Sequence, residues 1–144
     1  MSTAIITPHS APSRPWDLVG RGLMALNSAV TFAVFINGFF LMAAASDDRL
    51  MVEGWRTFGY FVFSAMWAML AYRPRHVPAI WELVILHKVA ATVLAFTILD
   101  TTEGAQSSIT DSSVAALTVF AYIACRGWQS WRVVQLGDTP ANVS

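Results

Sequence analysis

The stretch WELVILHKVAAT, residues 81–92, holds Glu82, His87 and Lys88 within seven positions of otherwise apolar sequence. A carboxylate, an imidazole and an amine are the side chains that general acid–base chemistry uses most. A lysine withdrawn from water loses its proton more readily and can act as base, acid or imine-forming nucleophile. These three are the candidate catalytic residues. Isomerisation or cyclisation of an apolar substrate would need little beyond them and a shaped cavity.

Their surroundings are those of a membrane helix. Residues 79–99 form an apolar run, and a bilayer crossing takes about 20 residues. For a helix entered at Ala79, the rise puts Glu82 about 5 Å, His87 about 12 Å and Lys88 about 14 Å along it. At that shallow depth Glu82 can reach water or pair with Arg73, Arg75 or Arg126. His87 can equally be a neutral imidazole bonded inside a bundle. Lys88 is the exception, because a charge near the bilayer centre costs about 2.5–3.5 kcal/mol on insertion scales. At about 100° per residue the three point to different sides, and Lys88 has no acid on its own face. Its partner must come from another helix or another subunit.

Composition supports a lipid solvent. Apolar residues make up 56% of the 144-residue chain and charged residues 12%, against about 25% charged in soluble domains. The formal net charge is zero, and without a basic stripe nucleic acid is not an expected partner. The single cysteine, Cys125, allows neither an internal disulfide nor dithiol chemistry. Three scattered histidines give no metal-ligand spacing. No phosphate loop or nucleophile elbow is visible, so neither metal nor cofactor is expected.

The chain divides into a flexible tail (residues 1–17), a transmembrane domain (18–136) and a C-terminal tail (137–144). Four spans are expected, at residues 22–45, 55–72, 79–99 and 113–131. The first ends in AAAS, like a signal-peptidase site, but is longer than the roughly 7–15 residues of a signal core, so it is read as a retained helix. Polar connections fall at residues 46–54 and 100–113, and the RPRHVP break carries two prolines. One side then holds Arg14, Arg21, Arg73, Arg75, Arg126 and Arg132. The other holds Arg49 and Arg56 among acids. The positive-inside rule makes the Arg-rich side, with both termini, cytoplasmic. Trp16, Trp81, Trp128 and Trp131 suit the cytoplasmic aromatic belt, and Trp55 the outer one.

At the depth of Lys88 the other spans offer Asn27, Ser28 and Thr31, then Ser64 and Trp67, then Thr118, Tyr122 and Cys125. Asn27, Thr31, Ser64, Trp67 and Tyr122 are the candidate ligand-binding residues of a polar chamber opening from the cytoplasmic half. The plainer alternative is interhelical bonding, at about 0.6 kcal/mol each. Ala25, Ala29 and Ala33 make a ridge for close helix approach. Arg56 and Tyr60, four apart, are a candidate outer polar gate, the plainer reading being that Arg56 simply faces the interface.

An Arg-preceded first helix with Gly38 near its outer end, a second helix with Gly59 near its entry, and two further short spans resemble the small four-helix DoxX-like membrane proteins. The resemblance covers residues 18–131. It implies a four-helix membrane bundle and quinone-linked redox or no known activity. ELVILHK has no counterpart in that pattern, and no site residue is carried over.

The expectation is an all-α integral membrane four-helix bundle that binds a lipophilic small molecule in an intramembrane cavity and converts it by acid–base chemistry. The bilayer and that molecule are the expected partners, and homo-oligomerisation stays open. The alternatives are an oligomeric transport or channel subunit, and a structural partner subunit of a membrane complex.

Overall fold

Four helix starts and three sharp turns shape the chain. The computed structural model describes residues 12–132. Among them there is no strand, and the order is α1 (Arg14–Ala44), α2 (Asp47–Tyr72), α3 (Ile80–Thr97), α4 (Thr102–Ala124) and a 3-10 turn, Gly127–Gln129. Pro15 lies in the first turn of α1, where its missing N–H is no loss. Ser46 precedes α2, and Asp47 and Asp48 in its first turn face the positive end of the helix dipole. Pro74 follows the end of α2, and Pro78 precedes α3. Ala79 turns the chain into α3 with a left-handed backbone, φ 68°. Thr101 caps α4, its Oγ1 accepting the Gly104 N–H at 3.0 Å. A Cβ on Gly104 would run into the Ile98 carbonyl, so glycine lets α4 fold back closely on the end of α3.

These bounds correct three expectations. Helix begins at Arg14, inside the stretch expected to be a flexible tail; residues 1–11 and the C-terminal tail lie outside the described residues. The expected connection at 46–54 is mostly the first two turns of α2. The expected loop at 100–113 is half of α4, which starts eleven residues earlier than the predicted fourth span (102 against 113). Serines and threonines suggest a loop because they compete for backbone groups. Here they bond back to carbonyls of their own helix, Ser108 to Ala105, Thr110 to Gln106 and Ser113 to Ile109, and the helix survives.

Helices α1 and α2 pack along one another, as do α3 and α4. Helix α1 closes against α4, and α2 touches α3 only sparsely. The α1–α2 contact is close where Gly38 meets Thr57, and a Cβ there would lie 2.7 Å from the Thr57 methyl. Two serines clasp the same pair. Ser28 Oγ donates to the Ser64 carbonyl and Ser64 Oγ to the Ser28 carbonyl, each at 2.9 Å.

The core occupies the Arg-rich end. Met24, Trp67, Leu70, Trp81, Val84, Ala121 and Cys125 pack into one buried cluster. Asp17 fastens it from below, accepting from Arg75, which also donates to the Cys125 carbonyl at 3.2 Å. Arg21 Nε reaches the Ala71 carbonyl at 2.7 Å. Trp81 is therefore fully buried in that core, its Nε1 donating to the Pro74 carbonyl at 2.8 Å, and is no lipid-facing belt residue. Toward the other end the buried positions are small or polar: Gly38, Glu53, Thr57, Ala95, Gly104 and Ser108.

Most large apolar side chains point outward, among them Phe40, Leu86 and Leu94. Helices α1, α3 and α4 are long and apolar enough to cross a membrane. At 26 residues α2 is long enough, but Asp47, Asp48, Arg49, Glu53 and Arg56 fill its first turns.

Candidate functional site

Lys88 and its partner form the centre of the site. Its ammonium lies 2.8 Å from Asp111 Oδ1 of α4, with side-chain exposures of 13% and 19%. It also lies 5.2 Å from the ring centre of Phe63 and 5.7 Å from that of Trp67, both on α2. A cation over aromatic faces is attracted by the ring quadrupole. Lys88 thus draws three helices together, and its acid comes from another helix, as its bare helical face requires. Counting from the connected helix ends, Lys88 is about 14 Å from Thr97 and Asp111 about 14 Å from Thr102, so an antiparallel α3–α4 pair brings them level.

The other two residues of the quoted stretch go elsewhere. His87 is exposed and packs against Phe63, with ring centres 4.4 Å apart and planes inclined at 48°; it bridges the sparse α2–α3 seam. Glu82 Oε1 accepts from Tyr122 OH at 3.1 Å and from Trp131 Nε1 at 3.0 Å. Its Oε2 is buried without a partner. Glu82 is about 9 Å of helix from Lys88. The three residues do not converge, and only His87 and Lys88 share a neighbour, Phe63.

The candidate ligand-binding residues divide similarly. Trp67 lines the Lys88 site, and its indole N–H is buried without an acceptor, as is the Asn27 amide nitrogen. Arg21 fixes the level of α1 against Ala71. Asn27 and Trp67 therefore lie about 9 Å and about 6 Å deeper than that contact, at similar depth. Ser64 is spent on the α1–α2 clasp, and Tyr122 belongs to Glu82. Thr31 is half-buried on α1. Cys125, Trp67 and Trp81 pack into the core at the Arg-rich end, so the expected chamber does not open from there.

No family model, curated protein or solved structure matches this chain. The site therefore stands on its own geometry.

Toward the far end of the helices the sequence had singled out Arg56 and Tyr60, and what it missed is the acids that meet them. Arg56 pairs with Glu53 at 3.7 Å on α2 and with Glu103 at 3.4 Å on α4; Arg49 joins Glu53 at 3.3 Å. Tyr60, half-buried, sits in the field of Arg56, Asp111, Glu53 and Glu103. Glu103, Ser107 and Asp111 recur every four residues on one face of α4, the signal that reading 100–113 as a loop concealed. Phe63 gave no signal beyond its place three residues after Tyr60 and four before Trp67. Among the described residues no group of three His, Cys, Asp or Glu could hold a metal ion.

Proposed function

We propose that this is a four-span membrane protein, with both termini cytoplasmic, that binds a lipophilic small molecule at the α2–α3 seam, its polar end anchored by Lys88. The observation that carries the reading is a surplus of donors. An ammonium has three N–H groups, and among the described residues Lys88 directs one hydrogen bond to Asp111. The Trp67 N–H and Asn27 amide at similar depth also lack acceptors. Buried unmet donors cost about 1–3 kcal/mol each. A carbonyl or carboxylate end would meet several at once, with Phe63 and His87 flanking its apolar part. The sparse α2–α3 contact is a lateral entrance from lipid. Conversion of the ligand, if the protein is an isomerase or cyclase, would use Lys88 and Asp111 as acid and base rather than Glu82.

The 2.8 Å ion pair favours one rival reading, in which Lys88 and Asp111 only clamp α3 to α4. Protein purified in mild detergent, extracted with organic solvent and assayed by mass spectrometry, decides between them. A small molecule retained by the wild type and lost from Lys88→Met supports the binding site. Its absence from both leaves the clamp. Reporter fusions at Ser144 and in the connection at 98–101 test the topology: a C-terminus accessible from outside overturns it.

A further inference from the structure

Along one side of the α1–α2 pair runs an open groove of about 580 Å³, apart from the Lys88 site. Its floor is the Ser28–Ser64 clasp, whose hydroxyls are both spent on backbone carbonyls. Its walls are methyl groups, those of Ala25 and Ala29 on α1 and of Ala68 and Ala71 on α2. Arg21 and Tyr72 stand at one end and Phe32 at the other. By helical rise Arg21 and Phe32 are about 16 Å apart, the depth of one leaflet in a hydrocarbon core of about 30 Å. The Arg21 end lies level with Tyr72, the last residue of α2, where the span meets the interface on the four-span reading.

That end is cationic. Arg14 precedes Arg21 by about two helical turns on the same face, and Arg73 lies over the Tyr72 ring at 5.3 Å. Asp17 is the only acid within residues 12–32 and 60–80. It is taken by Arg75 and stays 3.8 Å from Arg21 Nη1, beyond hydrogen-bond length. A guanidinium has five N–H groups. Arg21 directs two of them, to the Ala71 and Tyr72 carbonyls, and keeps the rest on a side chain that is 39% exposed. The groove at the other end of the same two helices carries Asp47 and no basic residue.

We propose that this groove holds one phospholipid with an anionic headgroup, taken from the leaflet on the Arg-rich side. Its phosphate accepts from Arg21, with Arg73 beside it and Arg14 about 10 Å outward. One acyl chain lies along the four alanines as far as Phe32. Basic pockets between helices at the bilayer surface take anionic headgroups in this way, and small side chains let an apolar partner approach the helix backbones closely. A zwitterionic lipid also has a phosphate, but the same arginines repel its ammonium. Two copies of the protein meeting along this groove in a symmetric pair would set Arg21 against Arg21 at one depth, so charge favours a lipid as the occupant. The proposal rests on the four-span reading and is independent of the ligand at Lys88.

Native mass spectrometry of the full-length chain tests it. Protein stripped of lipid in detergent is offered phosphatidylglycerol and phosphatidylcholine of the same acyl chains in equal amounts. The wild type should keep one phosphatidylglycerol in preference to phosphatidylcholine. Arg21→Gln should cut that preference about fivefold, the factor one arginine contributes at an anionic surface. Arg21 also ties α1 to the Ala71 carbonyl, so Arg73→Gln is the second charge variant. It is exposed, gives up only a ring contact, and should show a loss of similar size. Ala29→Leu/Ala68→Leu fills the groove at two exposed positions and should abolish lipid retention with every arginine in place. Equal retention of the two lipids, or an unchanged lipid count in the filled variant, overturns the lipid site. So does a dimer that persists without lipid and is broken by the filled variant, which gives the groove to a second copy. Each of these leaves the membrane reading intact when the chain stays in the pellet of alkali-washed membranes. Release of the wild-type chain by that wash overturns the membrane reading, and the lipid site with it.

Discussion

Removing one charge of the Lys88–Asp111 pair should do more harm than removing both. At 2.8 Å and an effective dielectric of about 20, two unit charges attract by about 6 kcal/mol. Desolvation offsets much of this, so the pair as a whole contributes little. Asp111→Leu leaves an ammonium against Phe63 and Trp67 with no counter-charge, and Lys88→Met leaves a carboxylate. Broken buried pairs cost about 3–5 kcal/mol. Both groups retain some exposure, so each single change should cost about 3 kcal/mol, the low end of that range. The double variant Lys88→Met/Asp111→Leu replaces the pair with apolar groups of similar volume and should fall within about 1 kcal/mol of wild type. The assay is reversible unfolding in mixed micelles, followed by far-ultraviolet circular dichroism for all four proteins. Single costs that simply add in the double variant, within the roughly 0.5 kcal/mol scatter of independent sites, would refute the pair as an energetic unit and leave Lys88 reaching for the interface.

Three further outcomes follow from close contacts. Gly38→Ala should destabilise the protein by about 1–3 kcal/mol through overpacking against Thr57, and Thr57→Ala should restore it; a neutral Gly38→Ala in the same unfolding assay would show that α1 and α2 do not meet there. Glu82→Gln keeps an oxygen for Tyr122 and Trp131 and should cost under about 1 kcal/mol, whereas Glu82→Leu strands both donors and should cost about 1–3 kcal/mol; equal costs would assign Glu82 another role. Ser64→Ala should cost only about 0.6 kcal/mol and leave ligand retention unchanged, since membrane hydroxyl bonds average that much; loss of retained small molecule would return Ser64 to the site.

The long apolar runs were legible because lipid imposes a simple rule on composition. Helix α3 was placed within two residues at each end (79–99 against 80–97), since Pro78 and Asp100 bracket it. Lys88 stood out for the same reason, as a charge where none is cheap. Asp111 was hidden by its neighbourhood. Residues 101–113 carry seven Ser or Thr besides Asp111, the composition of a loop, yet the segment is helical and most of those hydroxyls bond back to nearby carbonyls of their own chain. The sense of the chamber was also illegible. Periodicity places Trp67 and Trp81 on inward faces but does not say that two indoles fill the core at the Arg-rich end. Ser64 and Tyr122 were found as polar and level with other candidates. Sequence could not show that each was already committed to a neighbour.

Lys88 and Asp111 are twenty-three residues apart on consecutive helices, and that spacing bears on how the chain enters a bilayer. On the four-span reading, α3 alone would have to carry an unpaired ammonium into hydrocarbon, at about 2.5–3.5 kcal/mol. A hairpin of α3 and α4 entering together brings the counter-charge with it. Biogenesis is then pairwise, with the insertion machinery holding α3 until α4 has emerged from the ribosome. A nascent chain arrested before Asp111 should remain extractable by alkali, and one arrested after α4 should not.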